Sequence, residues 1–285
     1  MSEVDIAHLR KWIGKTEVRS DILTSGLVER LRATIGDMAP DGLDAVPLAV
    51  HWCLAPPAVP PAEIGRDGHP ARGGFLPPVP LPRRMWAGGA LHFHRPLEMG
   101  DTVTRSSRIA DVSEKVGRSG RLVFVTVEHE ISTGTGAAAI TERQDIVYRE
   151  AQAGSAQQPA SSPRPDAWAA GHRHVVEATT TLLFRYSALT FNGHRIHYDR
   201  DYARDVEGYP GLVVHGPLQA TLLVNLAARL ESGHLPKIFT YRGLSPLFDG
   251  AAFTVNATRG QNGMALWCAD RAGVTTMEAN AEFDG

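Results

Sequence analysis

Apolar and polar positions along the 285-residue chain fall into two successive runs of the same kind. Over residues 4–36 apolar side chains recur every three or four positions (Leu9, Trp12, Ile13, then Leu27, Leu31, Ile35), which predicts helix. A second apolar segment covers 43–54. From residue 85 to 150 the pattern changes. Segments 90–96, 102–109, 122–131 and 138–148 alternate or run apolar, as strands do. Their breaks, Met99-Gly100-Asp101, 117–120 and 133–136, are turn chemistry, so an antiparallel meander is expected.

Residues 151–168 are poor in apolar side chains and rich in Ala, Ser, Gln and Pro, and read as a tether. The order then repeats: a strand at 174–178, a helical turn at 180–190, an apolar helix at 211–231, and strands at 237–244, 252–259, 264–271 and 274–283. The helix is apolar on nearly every side, so other structure must wrap it. Arg95-Pro96-Leu97-Glu98-Met99-Gly100-Asp101 matches Ser245-Pro246-Leu247-Phe248-Asp249-Gly250-Ala251, and Val50-His51-Trp52 matches Val214-His215-Gly216. This is a tandem duplication. A bent antiparallel sheet around one apolar helix is the hot-dog arrangement, and the expected fold is α+β with two hot dogs in tandem. They occupy 1–150 and 169–285, with 151–168 as linker, and their sheets meet edge to edge so that neither edge is left open. The first copy is lengthened by a Pro- and Gly-crowded loop at 55–82, long enough to be a functional covering. Its Phe75 and Leu76 lay it down on something.

Composition narrows the class. Hydrophobic residues at 43%, charged residues at 21% and a net charge of −2 describe an ordinary soluble chain and give no basic face for nucleic acid or an anionic membrane. The start, MSEVDIAHLRKWIG, is charged throughout and does not read as a signal peptide; no apolar run reaches spanning length. Cys53 and Cys268 sit in apolar settings, which suits free thiols in the cytoplasm. Neither a GxGxxG nor a P-loop is present, leaving nucleotide-driven chemistry unsupported.

The central stretch, 184–223, holds Phe191-Asn192-Gly193-His194-Arg195-Ile196-His197 and then Val214-His215-Gly216. It resembles the MaoC-like, or R-specific enoyl-CoA hydratase, family, which carries an Asp, a His five residues later, and an apolar helix entered through His-Gly. His197 falls on that family's catalytic His. Asn192 replaces its Asp, and His194-Arg195 replaces an Asn-Pro. This form, with Arg83-Arg84-Met85-Trp86-Ala87-Gly88-Gly89 in the first copy, is similar to the double hot-dog branch containing mesaconyl-C4-CoA and itaconyl-CoA hydratases. In the first copy, Asp37 is followed five residues on by Gly42 rather than His, and Trp52 replaces the helix-mouth Gly, so that copy is expected to be catalytically silent.

The resemblance implies a hydro-lyase acting on an acyl-CoA thioester, without nucleic acid or membrane partners, as a homodimer, and with no cofactor beyond the coenzyme A of the substrate. His197 is the expected base, since an imidazole can accept and return a proton near neutrality. Asn192 cannot be a base but can hold water. The Gly216 amide, near the first turn of the helix, is the expected oxyanion donor. Arg83, Arg84, Arg195 and Arg242 are candidate anion binders for a CoA phosphate or a substrate carboxylate. Trp86, Tyr186, His194 and His215 complete the expected substrate shell, with His194 or Tyr186 able to assist and His215 more structural. His194, His197 and His215 could instead converge on a metal, but no carboxylate or thiolate is clearly placed to finish that site, and no metal is expected. A thioesterase directing water at the carbonyl, and a non-catalytic acyl-CoA binder, are the alternatives.

Overall fold

A computed structural model describes residues 4–42, 44–117, 120–134, 136–150, 171–260 and 263–284; the expected linker at 151–168 lies outside them. The strands are β1 (Thr16–Ile22), β2 (Arg83–Phe93), β3 (Thr102–Gly117), β4 (Gly120–Ser132), β5 (Ala138–Arg149), β6 (His172–Glu177), β7 (Ile238–Gly243), β8 (Ala252–Gly260), β9 (Gly263–Ala269) and β10 (Thr275–Glu282). The helices are α1 (Ile6–Leu9), α2 (Ser25–Ile35), α3 (Thr180–Leu189) and α4 (Gly216–Leu230). No helix among the described residues is long and apolar enough to cross a membrane.

All ten strands form one sheet in the order β1-β3-β4-β5-β2-β7-β10-β9-β8-β6. Each copy contributes five, and the copies meet where β2 pairs antiparallel with β7, from Gly88↔Arg242 to His92↔Ile238. The expected edge-to-edge junction is therefore present. The two outer edges are β1 and β6, which pair on one side only. The repeat extends further than its landmarks suggested. β1 leads into α2 through an N-cap at Thr24, whose hydroxyl accepts the Leu27 N–H, and β6 leads into α3 through Thr179, which accepts the Leu182 N–H.

α4 lies in the concavity of the second copy. Every residue from Leu218 to Ala228 is buried, so the helix has no solvent face. Its buried polar side chains are engaged. The Gln219 carbonyl accepts from the Thr276 hydroxyl at 2.7 Å. Asn225 accepts the Leu48 N–H at 2.9 Å and donates to the Leu48 carbonyl at 3.1 Å, tying the helix to the first copy. Cys53 and Cys268 are free and buried, as expected.

Three expectations are corrected. Residues 16–22, placed in a helical region, are a strand: TEVRSDI lies on the sheet edge and is mostly exposed, so its apolar content carries no period of two. The first copy also lacks the wrapped helix. Its counterpart of α4 is one 3₁₀ turn, Val50–Cys53, after which Pro56, Pro57, Pro60 and Pro61 remove the N–H groups a helix would need. The loop fills the space instead: Val79 and Leu81 are buried, and Phe75 and Leu76 partly so, against Ile109, Val112, Val123, Val125 and Tyr148. The helix predicted over 211–231 begins at Gly216, because residues 211–215 form the extended entry to it.

Asn225→Ala should destabilise the protein by about 2 kcal/mol, because both backbone groups of Leu48 lose a buried partner. Urea denaturation measures this, and an unchanged midpoint would show that water replaces the amide.

Candidate functional site

α3 ends in a Schellman arrangement: the Asn192 N–H reaches the Ser187 carbonyl at 2.8 Å and the Phe191 N–H the Ala188 carbonyl at 3.4 Å. The left-handed position in such a cap usually belongs to Gly. Here it is Phe191, at φ 50°. Asn192 then accepts the His194 N–H at 3.0 Å, turning the chain a second time and presenting the one-turn 3₁₀ helix Arg195–His197. Two local turns thus carry His197 from the end of α3 to the mouth of α4.

His197 is buried, and its Nδ1 lies 2.7 Å from the Val213 carbonyl. A carbonyl can only accept, so Nδ1 holds the proton and Nε2 carries the lone pair. The Val213 N–H returns a bond to the Ile196 carbonyl at 2.9 Å, locking the turn onto the helix entry. The His197 ring stacks on His215 with centroids 3.7 Å apart, and His215 immediately precedes Gly216. His215 Nε2 meets the Ser187 hydroxyl at 2.8 Å. The base candidate and the helix N-terminus thus lie side by side. At Gly216 a Cβ would stand 3.0 Å from the Trp86 ring, so a larger residue would force Trp86 away. Gly216, Pro217 and Trp86 remain partly exposed at the mouth of the helix.

The covering loop reaches this point from the first copy. Gly68 has φ +89°, and a Cβ there would fall 1.9 Å from the Gly193 carbonyl oxygen, so the loop and the turn pack backbone on backbone. The Asp67 carbonyl accepts the Arg195 N–H at 2.9 Å. The Asp67 carboxylate sits 3.2 Å from His69 Nδ1, and the His69 ring lies 4.2 Å from that of His194. Neither Asp67 nor His69 was singled out from the sequence. The only signal was the Pro- and Gly-crowded composition of their loop.

Burial governs the titration of these groups. It pushes His197 down to about 4, partly offset by the Val213 carbonyl. Burial and the Arg84 charge bring His69 to about 4, with Asp67 pulling the other way. His194 and His215 are also driven down, chiefly by burial and then by neighbouring imidazoles. Burial alone would raise Asp67, but bonding to His69 and the charges of His69 and Arg84 outweigh it, and the group stays a carboxylate. All four imidazoles are therefore neutral at pH 7.

Other candidates sit elsewhere. The Tyr186 hydroxyl is buried against Thr221 at 3.1 Å, with its ring edge-on to His215, so it supports the site from behind. Arg83 is spent on the Glu207 carbonyl and carboxylate and on the Tyr209 ring. Arg195 is spent on Asp199, at 2.8 and 3.0 Å, and on the Tyr202 ring. Arg242 is exposed on β7. Arg84 alone of the four is half-buried with no hydrogen bond or ion pair to any described residue. Among the described residues, Asp67, His69 and His194 are the set whose ligand atoms, all within 4.8 Å of one another, could share a cation. The trio weighed from sequence is not that set, because the parallel stack of His197 on His215 keeps their lone pairs from converging.

Comparison with known proteins identifies the family. The family model for hydroxyacyl-thioester dehydratase type 2 matches residues 49–249. The chain belongs to that family. It is 42% identical over 279 residues to the mesaconyl-C(4)-CoA hydratase of Chloroflexus aurantiacus, covering 96% of this chain and 97% of that one. A MaoC-like dehydratase from Phytophthora capsici superposes with TM-score 0.71 at 14% identity, over 99% of this chain and 98% of the other. HtdX of Mycobacterium tuberculosis does so with TM-score 0.66 at 20% identity, over 93% and 98%. At such identities these two structures speak for the fold alone. The resemblance read from 184–223 is correct at the level of family, and the chain is a hydro-lyase of the hydratase–dehydratase type.

A pH titration tests the burial of the imidazoles. The unfolded chain protonates His69 and His197 near 6.5, whereas the folded one resists until about 4. Their contribution to stability is therefore whole above pH 6.5 and lost as pH falls toward 4. The thermal midpoint should drop across that window, and His69→Gln should flatten the drop. A variant with the same slope as wild type would place His69 in water.

Proposed function

We propose that the protein adds water reversibly across the double bond of a short enoyl-CoA thioester with a branched or dicarboxylic acyl group, taking itaconyl-CoA or mesaconyl-C4-CoA to citramalyl-CoA. The observation that carries this reading is a neutral imidazole, its Nδ1 bonded to the Val213 carbonyl and its Nε2 free, stacked beside the residue that opens α4. The similarity to a mesaconyl-C(4)-CoA hydratase over nearly the whole chain supports the acyl group.

In this mechanism the thioester oxygen lies against the Gly216 N–H. A first-turn amide has no carbonyl four residues back to satisfy it, and the helix dipole favours the enolate charge that builds there. Asn192 orients the water. On mesaconyl-C4-CoA, His197 Nε2 takes the water's proton as the oxygen bonds to the β-carbon, and the resulting imidazolium returns a proton to the α-carbon on the same face; on itaconyl-CoA, whose double bond joins the β-carbon to a methylene, the returned proton goes to that methylene carbon. With Asn192 unable to accept a proton, one imidazole carries both transfers. His215 holds the stack through Ser187, Trp86 walls the crevice, and Tyr186 and His194 complete the shell.

The division of labour follows the duplication: 169–285 holds the catalytic turn and helix, while 1–150 acts as a catalytically silent copy whose loop at 55–82 covers the site. The enzyme works without a cofactor beyond its substrate's coenzyme A, since water addition next to a thioester needs only a base, an oxyanion donor and a returned proton. It works in the cytoplasm as a homodimer. The exposed Phe184 and Phe191 around the end of α3 offer apolar surface for the pairing, which light scattering would measure.

His197→Ala should lower turnover at least about 100-fold, in keeping with what a positioned acid–base group contributes. Asn192→Ala should cost less. Loss of enoyl absorbance reports turnover for both, and a His197→Ala variant near full activity would remove the base. In wild type the acid limb of kcat/KM should fall near pH 4 rather than 6.5, because the buried imidazole stays neutral until then. Release of free thiol in place of hydration would instead indicate thioester cleavage.

A further inference from the structure

Arg84 stands on the inner face of the sheet. Its partner across β5 is Tyr148, and that of Trp86 on the same side is Ile146, both of which point into the buried interior. Trp86 touches the mouth of α4. Arg84 therefore shares the face of β2 that carries Trp86 to the mouth of α4, and its charge acts on His69, His194 and Asp67 of the loop and turn packed there. No described residue supplies it a partner. The nearby Asp67 is already committed to the ring and backbone N–H of His69. A half-buried guanidinium that acts on Asp67 only at a distance keeps its N–H donors unbonded, and a bound anion would satisfy them.

We infer that Arg84 receives a carboxylate carried by the acyl group of the substrate, on the carbon to which water adds, and so selects dicarboxylic enoyl thioesters over neutral ones of the same shape. This rests on the hydratase reading above. A carboxylate on the β-carbon is one bond from the atom that water attacks, so its partner must stand near the base. The CoA phosphates lie at the far end of the pantetheine arm, away from the reacting carbons. The planar guanidinium grips a carboxylate with two parallel bonds, which a methyl group in the same place cannot accept. Arg83 already holds Glu207 through Nη2 and Nε, which leaves only its Nη1 and no two-pronged grip, and Arg195 is held by Asp199.

The test compares kcat/KM for mesaconyl-C4-CoA and 3-methylcrotonyl-CoA, in which a methyl replaces the carboxylate. Wild type should prefer the first. Arg84→Gln should lower the ratio of the two values roughly 10- to 100-fold, the range for hydrogen bonds to a charged group. Arg84→Lys, which keeps the charge but not the fork, should fall between. Thermal melts confirm that both variants fold. An equal loss on both substrates would assign Arg84 to the CoA phosphates or to the fold, and an unchanged ratio would remove it from recognition; each overturns the inference. A wild type that hydrates 3-methylcrotonyl-CoA as well as mesaconyl-C4-CoA overturns it alone, whereas one that hydrates no enoyl-CoA overturns the hydratase reading as well.

Discussion

A fifteen-residue helix without a polar face can persist in water only inside something, and the architecture answers that constraint. Strands β7 to β10 and β6 curve around α4, and β2 closes the remaining side by pairing with β7. Once the helix is sheathed, its sides offer nothing to a ligand. Its N-terminus does, because the first-turn amides have no partners within the helix. The unpaired helix amides are thereby confined to the mouth of α4.

The same burial sets the protonation of what stands there. An imidazole in water at pH 7 is a mixture of forms. His197, sealed between the Val213 carbonyl and the His215 ring, is neutral with its proton on a known nitrogen. The stability given up by refusing protons is offset by a base of defined tautomer and orientation. The neighbouring imidazoles follow the same rule, so the charges close to the crevice are those of Asp67 and Arg84.

The first copy shows what duplication permits once one helix is enough. Its counterpart of α4 has shrunk to the turn at Val50–Cys53, and the sheet it would have filled is packed by a proline-rich loop. Freed from holding a helix, that loop extends far enough for Gly68 to press on Gly193 and bring Asp67 and His69 to the turn at 191–197. Polar side chains remain inside this copy. Glu142 accepts from Trp52 Nε1 at 3.0 Å and lies 3.4 Å from His51 Nε2. Trp52 in turn packs edge-on against Trp86. The first copy therefore braces Trp86 beside the mouth of α4.

Much of this was legible in the order of residues. Strands β3 to β10 follow from alternation and turn chemistry, the sheathed helix from its lack of a polar stripe, and the turn at 191–197 with its His-Gly helix entry from a motif kept within one short stretch; β2, expected at 90–96, instead runs Arg83–Phe93. These are local patterns, and local periodicity records them. β1 escaped because an exposed edge strand needs no alternation. The missing helix of the first copy escaped because Val50-His51-Trp52 preserves the landmark of a helix whose continuation the prolines forbid. The tertiary structure alone decided which charges are free. Arg83 and Arg84 are neighbours in sequence and chemically alike, yet one is consumed by Glu207 and the other is left open beside the crevice. Asp67 and His69 join the site across more than a hundred residues of chain. Such assignments depend on which distant groups arrive at a given point in space, and no spacing along the chain encodes that.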